Sequence, residues 1–259
     1  MDGKKHKSLL LKCVKGICIG ILVGLALGII LALLDIDVPL IVWIMIILLV
    51  GIFFIAKLAN PLRYVLKGQI DTAVNMYLKQ IEKYDQYKSV YNANNYNIAM
   101  CYNLKGDFED SIEYLKKINE TKLDRNLTSA YYFLFASDLI LLERDMELAE
   151  EYLLKSRMTK VLPGLVLLES CIETQKGNFT RAKELIMEYK NNKKNMVALG
   201  LNIMFTVKKL ENITNDFLIG LNYFKMNDLQ QAKQSFEDVS KYDYDFYYVR
   251  KAKELLQDI

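Results

Sequence analysis

The pattern of apolar and polar positions divides this chain into two unlike parts. Ile17 to Leu34 is continuously apolar, and Val38 to Ala56 is a second such run. At ~1.5 Å of rise per residue, each run wound as a helix spans close to the ~30 Å hydrocarbon layer of a bilayer. Beyond Pro61 the pattern changes. Apolar residues recur every three or four positions with charged residues between them, as amphipathic helices require. The only prolines are Pro39, Pro61 and Pro163, which favours long uninterrupted helices. The expected fold is all-α. A basic tail over 1–16 precedes a transmembrane helical hairpin over 17–58, with spans 17–34 and 38–56, and a helical domain follows over 62–259.

The link Asp35-Ile36-Asp37, followed by Val38-Pro39, is a tight polar turn, so the two spans would be antiparallel neighbours. Lys4, Lys5, Lys7, Lys12 and Lys15 precede the first span, and Lys57, Arg63 and Lys67 follow the second. Basic residues gather on the cytoplasmic side of a membrane. Both termini and the helical domain are therefore expected in the cytoplasm, with Trp43 near the outer interface. A cleaved signal peptide is the competing reading of the first run. That run is longer than a usual signal core, and no clear A-x-A site precedes Asp35.

Gly16, Gly20, Gly24 and Gly28, continued by Ala32, fall on one face of the first span, because residues four apart share a helix face. Glycine costs a helix in water about 1 kcal/mol against alanine. In lipid a smooth face permits the close backbone approach that holds helices together. Two arrangements suit it. Trp43, Ile44, Met45, Ile47, Leu48, Phe53 and Phe54 of the second span could fill the groove within one hairpin, or the same face of a second chain could meet it in a homo-oligomer.

The remaining two hundred residues contain a repeat. LKGQIDTAVNMYLK (66–79), LKGDFEDSIEYLKK (104–117), LERDMELAEEYLLK (142–155), QKGNFTRAKELIME (175–188) and KMNDLQQAKQSFED (225–238) share one frame. A turn pair leads to an apolar residue, then a small residue, then a large one four positions on. The small positions are Ala73, Ser111, Ala149, Ala182 and Ala232, at spacings of 38, 38, 33 and 50. A small residue lets two helices approach, and a residue tolerant of positive φ turns the chain between them.

This frame resembles the tetratricopeptide repeat, a pair of antiparallel helices of about 34 residues. In the last unit Gly220, Tyr223, Asn227-Asp228-Leu229, Ala232 and Phe236 stand at the family's positions. In the second unit Ala99, Tyr102, Gly106, Asp107, Phe108, Ser111 and Leu115 do so. The family's early tryptophan is missing, and its closing proline is represented only by Pro163. The long last spacing leaves room for an extra helix, Met196 to Leu210. The resemblance implies an α-solenoid of about five helix pairs closed by a capping helix, for which Tyr247 to Gln257 is the candidate. It also implies a concave groove lined by the first helix of each pair and holding a protein or peptide segment. Carried over, that groove would present Tyr96, Asn97, Met100 and Asn103, then Leu134, Asp138 and Leu141, then Phe217, Leu221 and Phe224.

Charge and candidate chemistry change this picture little. From residue 68 onward acidic and basic side chains nearly balance, which argues against a nucleic-acid partner. Cys13, Cys18, Cys101 and Cys171 form no CxxC pair, so neither a zinc site nor a disulfide framework is expected, and a reducing compartment fits the helical domain. Cys13 is placed for acylation or as apolar filler. The lone histidine, His6, sits in the basic tail. Nucleophile-elbow, zincin, phosphate-loop and dinucleotide fingerprints are absent from the sequence. The sequons at Asn119, Asn126, Asn178 and Asn212 would matter only in a secretory lumen. No cofactor, metal or catalytic activity is expected. The expectation is a membrane-anchored adaptor that binds a protein or peptide segment, or a structural homo-oligomer assembled through the first span.

Overall fold

Five turns of one geometry organise the described chain. Each has a left-handed residue at the same place, Gly68 (φ +71°), Gly106 (+93°), Glu143 (+53°), Gly177 (+80°) and Asn227 (+60°), and the third turn has a second at Asp145 (+46°). In each, the next amide reaches back five residues to a carbonyl in the preceding helix. The five bonds are Gln69 to Tyr64, Asp107 to Tyr102, Arg144 to Leu139, Asn178 to Glu173 and Asp228 to Tyr223, at 2.8–3.0 Å. This closure satisfies carbonyls that a helix C-terminus leaves unbonded, and it re-aims the chain for an antiparallel partner.

The structure is a computed structural model that describes residues 60–84, 87–160, 162, 164–192 and 203–259. Both apolar runs, the lysine tail and the glycine face of Gly16, Gly20, Gly24, Gly28 and Ala32 lie outside these residues. Among the described residues no helix is long and apolar enough to cross a membrane. The chain divides into two compact units, 1–63 and 64–259, and the second is the helical domain.

Its elements are α1 (Leu62–Val65), α2 (Ile70–Lys83), α3 (Lys88–Lys105), α4 (Phe108–Lys116), α5 (Arg125–Leu141), α6 (Met146–Thr159), α7 (Leu165–Gln175), α8 (Phe179–Asn192), α9 (Ile203–Lys225), α10 (Leu229–Ser240) and α11 (Tyr247–Leu255). Among the described residues there is no strand. α3 packs on α4, α5 on α6, α7 on α8 and α9 on α10, and α2 packs on α3. α1 is a single turn, as the position of Pro61 just before the repeat leads one to expect.

The small positions work as the repeat frame requires. Ala73, Ser111, Ala149, Ala182 and Ala232 are all 0% exposed. Four residues on, Tyr77, Leu115, Leu153, Ile186 and Phe236 are buried. At Gly220 an added Cβ would stand 2.6 Å from the Phe236 ring, so the closest helix approach in the last pair needs glycine. Asp124 caps α5, its carboxylate accepting from the amides of Asn126 (2.8 Å) and Leu127 (3.0 Å), which satisfies two orphan donors.

One expectation is corrected. Within the described residues, the stretch expected as a separate helix up to Leu210 is the opening of α9, which runs unbroken to Lys225. No glycine or proline stands between Ile203 and Asn215 to stop it. The capping segment is helical over Tyr247–Leu255.

Candidate partner-binding face

The first helices of the pairs form one row. α3 touches α5, α5 touches α7, and α7 touches α9. The groove implied by the resemblance would lie along this row, and α11 lies against it. α11 packs on α10, as a cap should, and also on α9 and on α3 at the far end of the row. The C-terminal helix thus bridges the last pair to the first complete one.

Four aromatic contacts and one polar cluster make this junction. Tyr247 meets Phe108 edge-on at 5.0 Å. Phe217 packs 6.0 Å from Tyr247, 5.3 Å from Tyr248 and 5.9 Å from Phe236, between ring centroids. The Tyr248 hydroxyl donates to Asn103 Oδ1 at 2.6 Å. Asn103 Nδ2 donates to Asp138 Oδ1 at 2.7 Å, and Ser111 Oγ donates to Asp138 Oδ2 at 2.6 Å. Tyr248, Asn103, Ser111 and Asp138 are all buried. A buried carboxylate is tolerated when its oxygens are satisfied, yet the donors here are neutral. Burial therefore pushes Asp138 up to about 8, against the lowering effect of its Ser111 and Asn103 bonds. Burial also raises Tyr96 to about 12, with Asp138 adding to the shift.

The residues expected in the groove separate into two sets. Asn103, Leu134, Asp138 and Phe217 are buried. They are interior contacts of the closed row and offer no surface to a partner in this arrangement. The cap accounts for part of this burial, since Tyr248 bonds Asn103 and Tyr247 and Tyr248 pack on Phe217. Tyr96, Asn97, Met100, Leu141, Leu221 and Phe224 are half-buried and keep part of their surface.

A second polar seam joins α7 to α9. Asn222 Nδ2 donates to Ser170 Oγ (3.1 Å) and to the Leu218 carbonyl (2.8 Å), while Thr174 Oγ1 donates to Asn222 Oδ1 (2.7 Å). Nothing in the repeat frame signals Asn222 or Tyr248. The available hint is that each is a polar residue in an otherwise apolar helical stripe.

Two open hollows lie elsewhere. One of about 330 Å³ sits among α6, α7 and α8, with Leu153, Ile172 and Leu185 in its lining. Charged groups around it pair with each other, Arg157 with Glu169 and Lys176 with Glu150. The other, about 300 Å³, lies between the start of α3 and the approach to α5. Among the described residues no group of His, Cys, Asp and Glu is arranged to hold a metal ion. Cys101 and Cys171 are free and buried, and burial raises them to about 12 and about 11, so both are thiols near neutral pH.

Residues 94–124 and residues 215–243 each match a family model for the tetratricopeptide repeat. The matches fall on the α3–α4 and α9–α10 pairs, the two units whose sequences resemble the family best. No curated protein matches the chain. Repeats of this kind are interaction modules that bind protein or peptide segments, and they typically carry out no reaction themselves.

Proposed function

We propose that this chain is a membrane-tethered adaptor whose helical repeats recruit a partner protein or peptide segment at the cytoplasmic face. The observation that carries the recruiting role is the pair of tetratricopeptide matches at the two ends of a row whose five turns share one geometry. The tether rests on the apolar runs 17–34 and 38–56 and on the basic residues flanking both. Anchoring concentrates whatever binds near the membrane without any new contact. The surface offered is the half-buried part of the row: Tyr96, Asn97, Met100, Leu141, Leu221 and Phe224.

The test uses the full chain extracted from native membranes with its companions. Asn97→Arg combined with Leu221→Glu is expected to lower recovery of a specific partner at least about tenfold, since interface energy concentrates in a few residues. Equal recovery removes this surface from the reading. Crosslinked ladders of the chain itself, lost on Gly20→Ile with Gly24→Ile, would replace the adaptor with the homo-oligomeric alternative. A cysteine placed at Ile36 should react with an impermeant probe from outside, and one at Asp107 should not. The reverse labelling overturns the topology.

A further inference from the structure

The row of first helices, once α11 is included, is a ring with one thin joint. Consecutive members of the row are tied through their own pairs and loops. The joint between α11 and α3 has no such tie, since Tyr248 and Asn103 stand 145 residues apart in sequence. Side-chain contacts hold it. Tyr248 donates to Asn103, and Arg250 Nη2 donates to the exposed Lys105 carbonyl at 2.9 Å. Tyr247 covers Gly106, where a Cβ would meet its ring at 2.5 Å. The opposite side of α11 is secured far better. Phe246, Val249 and Ala252 are fully buried, and Phe217 lies against both tyrosines.

We propose that the joint between α11 and α3 is a pH-responsive clasp on the inner face, one that parts as a unit while α11 stays on α9 and α10. Beneath it lies Asp138, a wholly buried carboxyl. Asn103 of α3 and Ser111 of α4 bond it, and Tyr96 of α3, the exposed Glu109 of α4 and Tyr248 of α11 act on it or feel its charge. Tyr96 and Tyr248 are both raised by burial and stay neutral near pH 8. Asp138 is thus the buried group among them that changes charge between pH 4 and 8.

The sign follows from linkage. The closed clasp binds the Asp138 proton up to about pH 8. The open clasp admits water and returns the carboxyl toward its ordinary ~3.9. Opening therefore releases a proton. Closure is strongest below about pH 4, weakens by up to roughly tenfold per pH unit above that, and levels off beyond about pH 8. Its use as regulation rests on reading the inner face as the partner surface, whereas the clasp itself is measured with no partner present, so the two ideas fail separately.

Ser137, buried beside Tyr248, is the reporter position. In the full chain carrying Ser137→Cys, alkylation of the new thiol is read by peptide mass and divided by the rate for a free peptide at the same pH. Buried Cys171 serves as the internal control for wholesale unfolding. The relative rate at position 137 is expected to rise up to roughly fiftyfold from pH 6 to pH 8, with little change at Cys171. Asp138→Asn should remove the rise, and Tyr248→Phe should increase the rate at both pH values. Parallel labelling of both thiols, or a rise that survives Asp138→Asn, overturns the clasp. Hydroxyl-radical footprinting of the Tyr247–Tyr248 peptide in the unaltered chain repeats the measurement without a substitution, and oxidation there that does not increase with pH overturns it as well.

Discussion

The α3–α4 and α9–α10 pairs occupy the same repeat frame, yet their inner faces are built differently. Where the first has Asn103, the last has Phe224. Ser111 corresponds to Ala232, Leu115 to Phe236, and Ala99 to Gly220. In the first pair Asn103 and Ser111 both bond Asp138. In the last, Phe217 and Phe224 surround Phe236 at 5.9 and 6.4 Å. Phe108 is 5% exposed because Tyr247 covers it, whereas Leu229 at the same position is 38% exposed. The backbone frame is therefore set by the left-handed turn and the small residue, while the remaining positions record what each pair faces. One faces a polar junction, the other an aromatic one.

The largest effect should come from emptying the aromatic pocket. Phe236→Ala is expected to cost about 3–5 kcal/mol, more than Leu115→Ala at the same position of the first pair, from the class whose range starts lower, about 2–5 kcal/mol. Gly220 packs directly on the Phe236 ring, and that helix approach cannot close the void. Urea titrations of the two variants check the order, and a larger loss at Leu115 would break the comparison.

A smaller contrast lies between two turn glycines. Gly106 and Gly177 both have left-handed φ, so alanine at either costs about 1 kcal/mol in backbone strain. Nothing stands within 4 Å of a Cβ at Gly177, whereas at Gly106 the Tyr247 ring is 2.5 Å away. Gly106→Ala should cost about 1–3 kcal/mol more. The excess should disappear when Tyr247 is also replaced by Ala, a double-mutant cycle in thermal melts. An excess that persists would place the strain in the turn alone.

The smallest effect belongs to the surface. Lys105 pairs with Asp71 and Asp107, each at 3.3 Å, among well-exposed side chains. Lys105→Met should change stability by no more than about 0.5 kcal/mol in melts at moderate salt. A larger loss would mean that charge, as well as packing, joins α2 to the first pair.

Much of the fold could be read from the residues. The five small positions, the turn at Gly106 and the capping helix follow from spacing and residue size, which act locally. The left-handed turn at Glu143 was harder to see, because glutamate gives no sign of positive φ. The long spacing predicts a separate helix up to Leu210, whereas Ile203 to Leu210 belongs to the helix that runs on to Lys225. The groove was half legible. Periodicity places Asn103, Asp138 and Phe217 on the inner row, but it carries no information about a helix more than a hundred residues away. Tyr248 covers that face through contacts that leave no period in the sequence.

A row that meets its own beginning also has a fixed count. An open stack of helix pairs can gain or lose a unit by duplication, with the end cap simply carried along. Here one more pair ahead of α11 would lift Tyr248 away from Asn103 and strip the cover from Gly106. A longer array and the contact between α11 and α3 exclude each other.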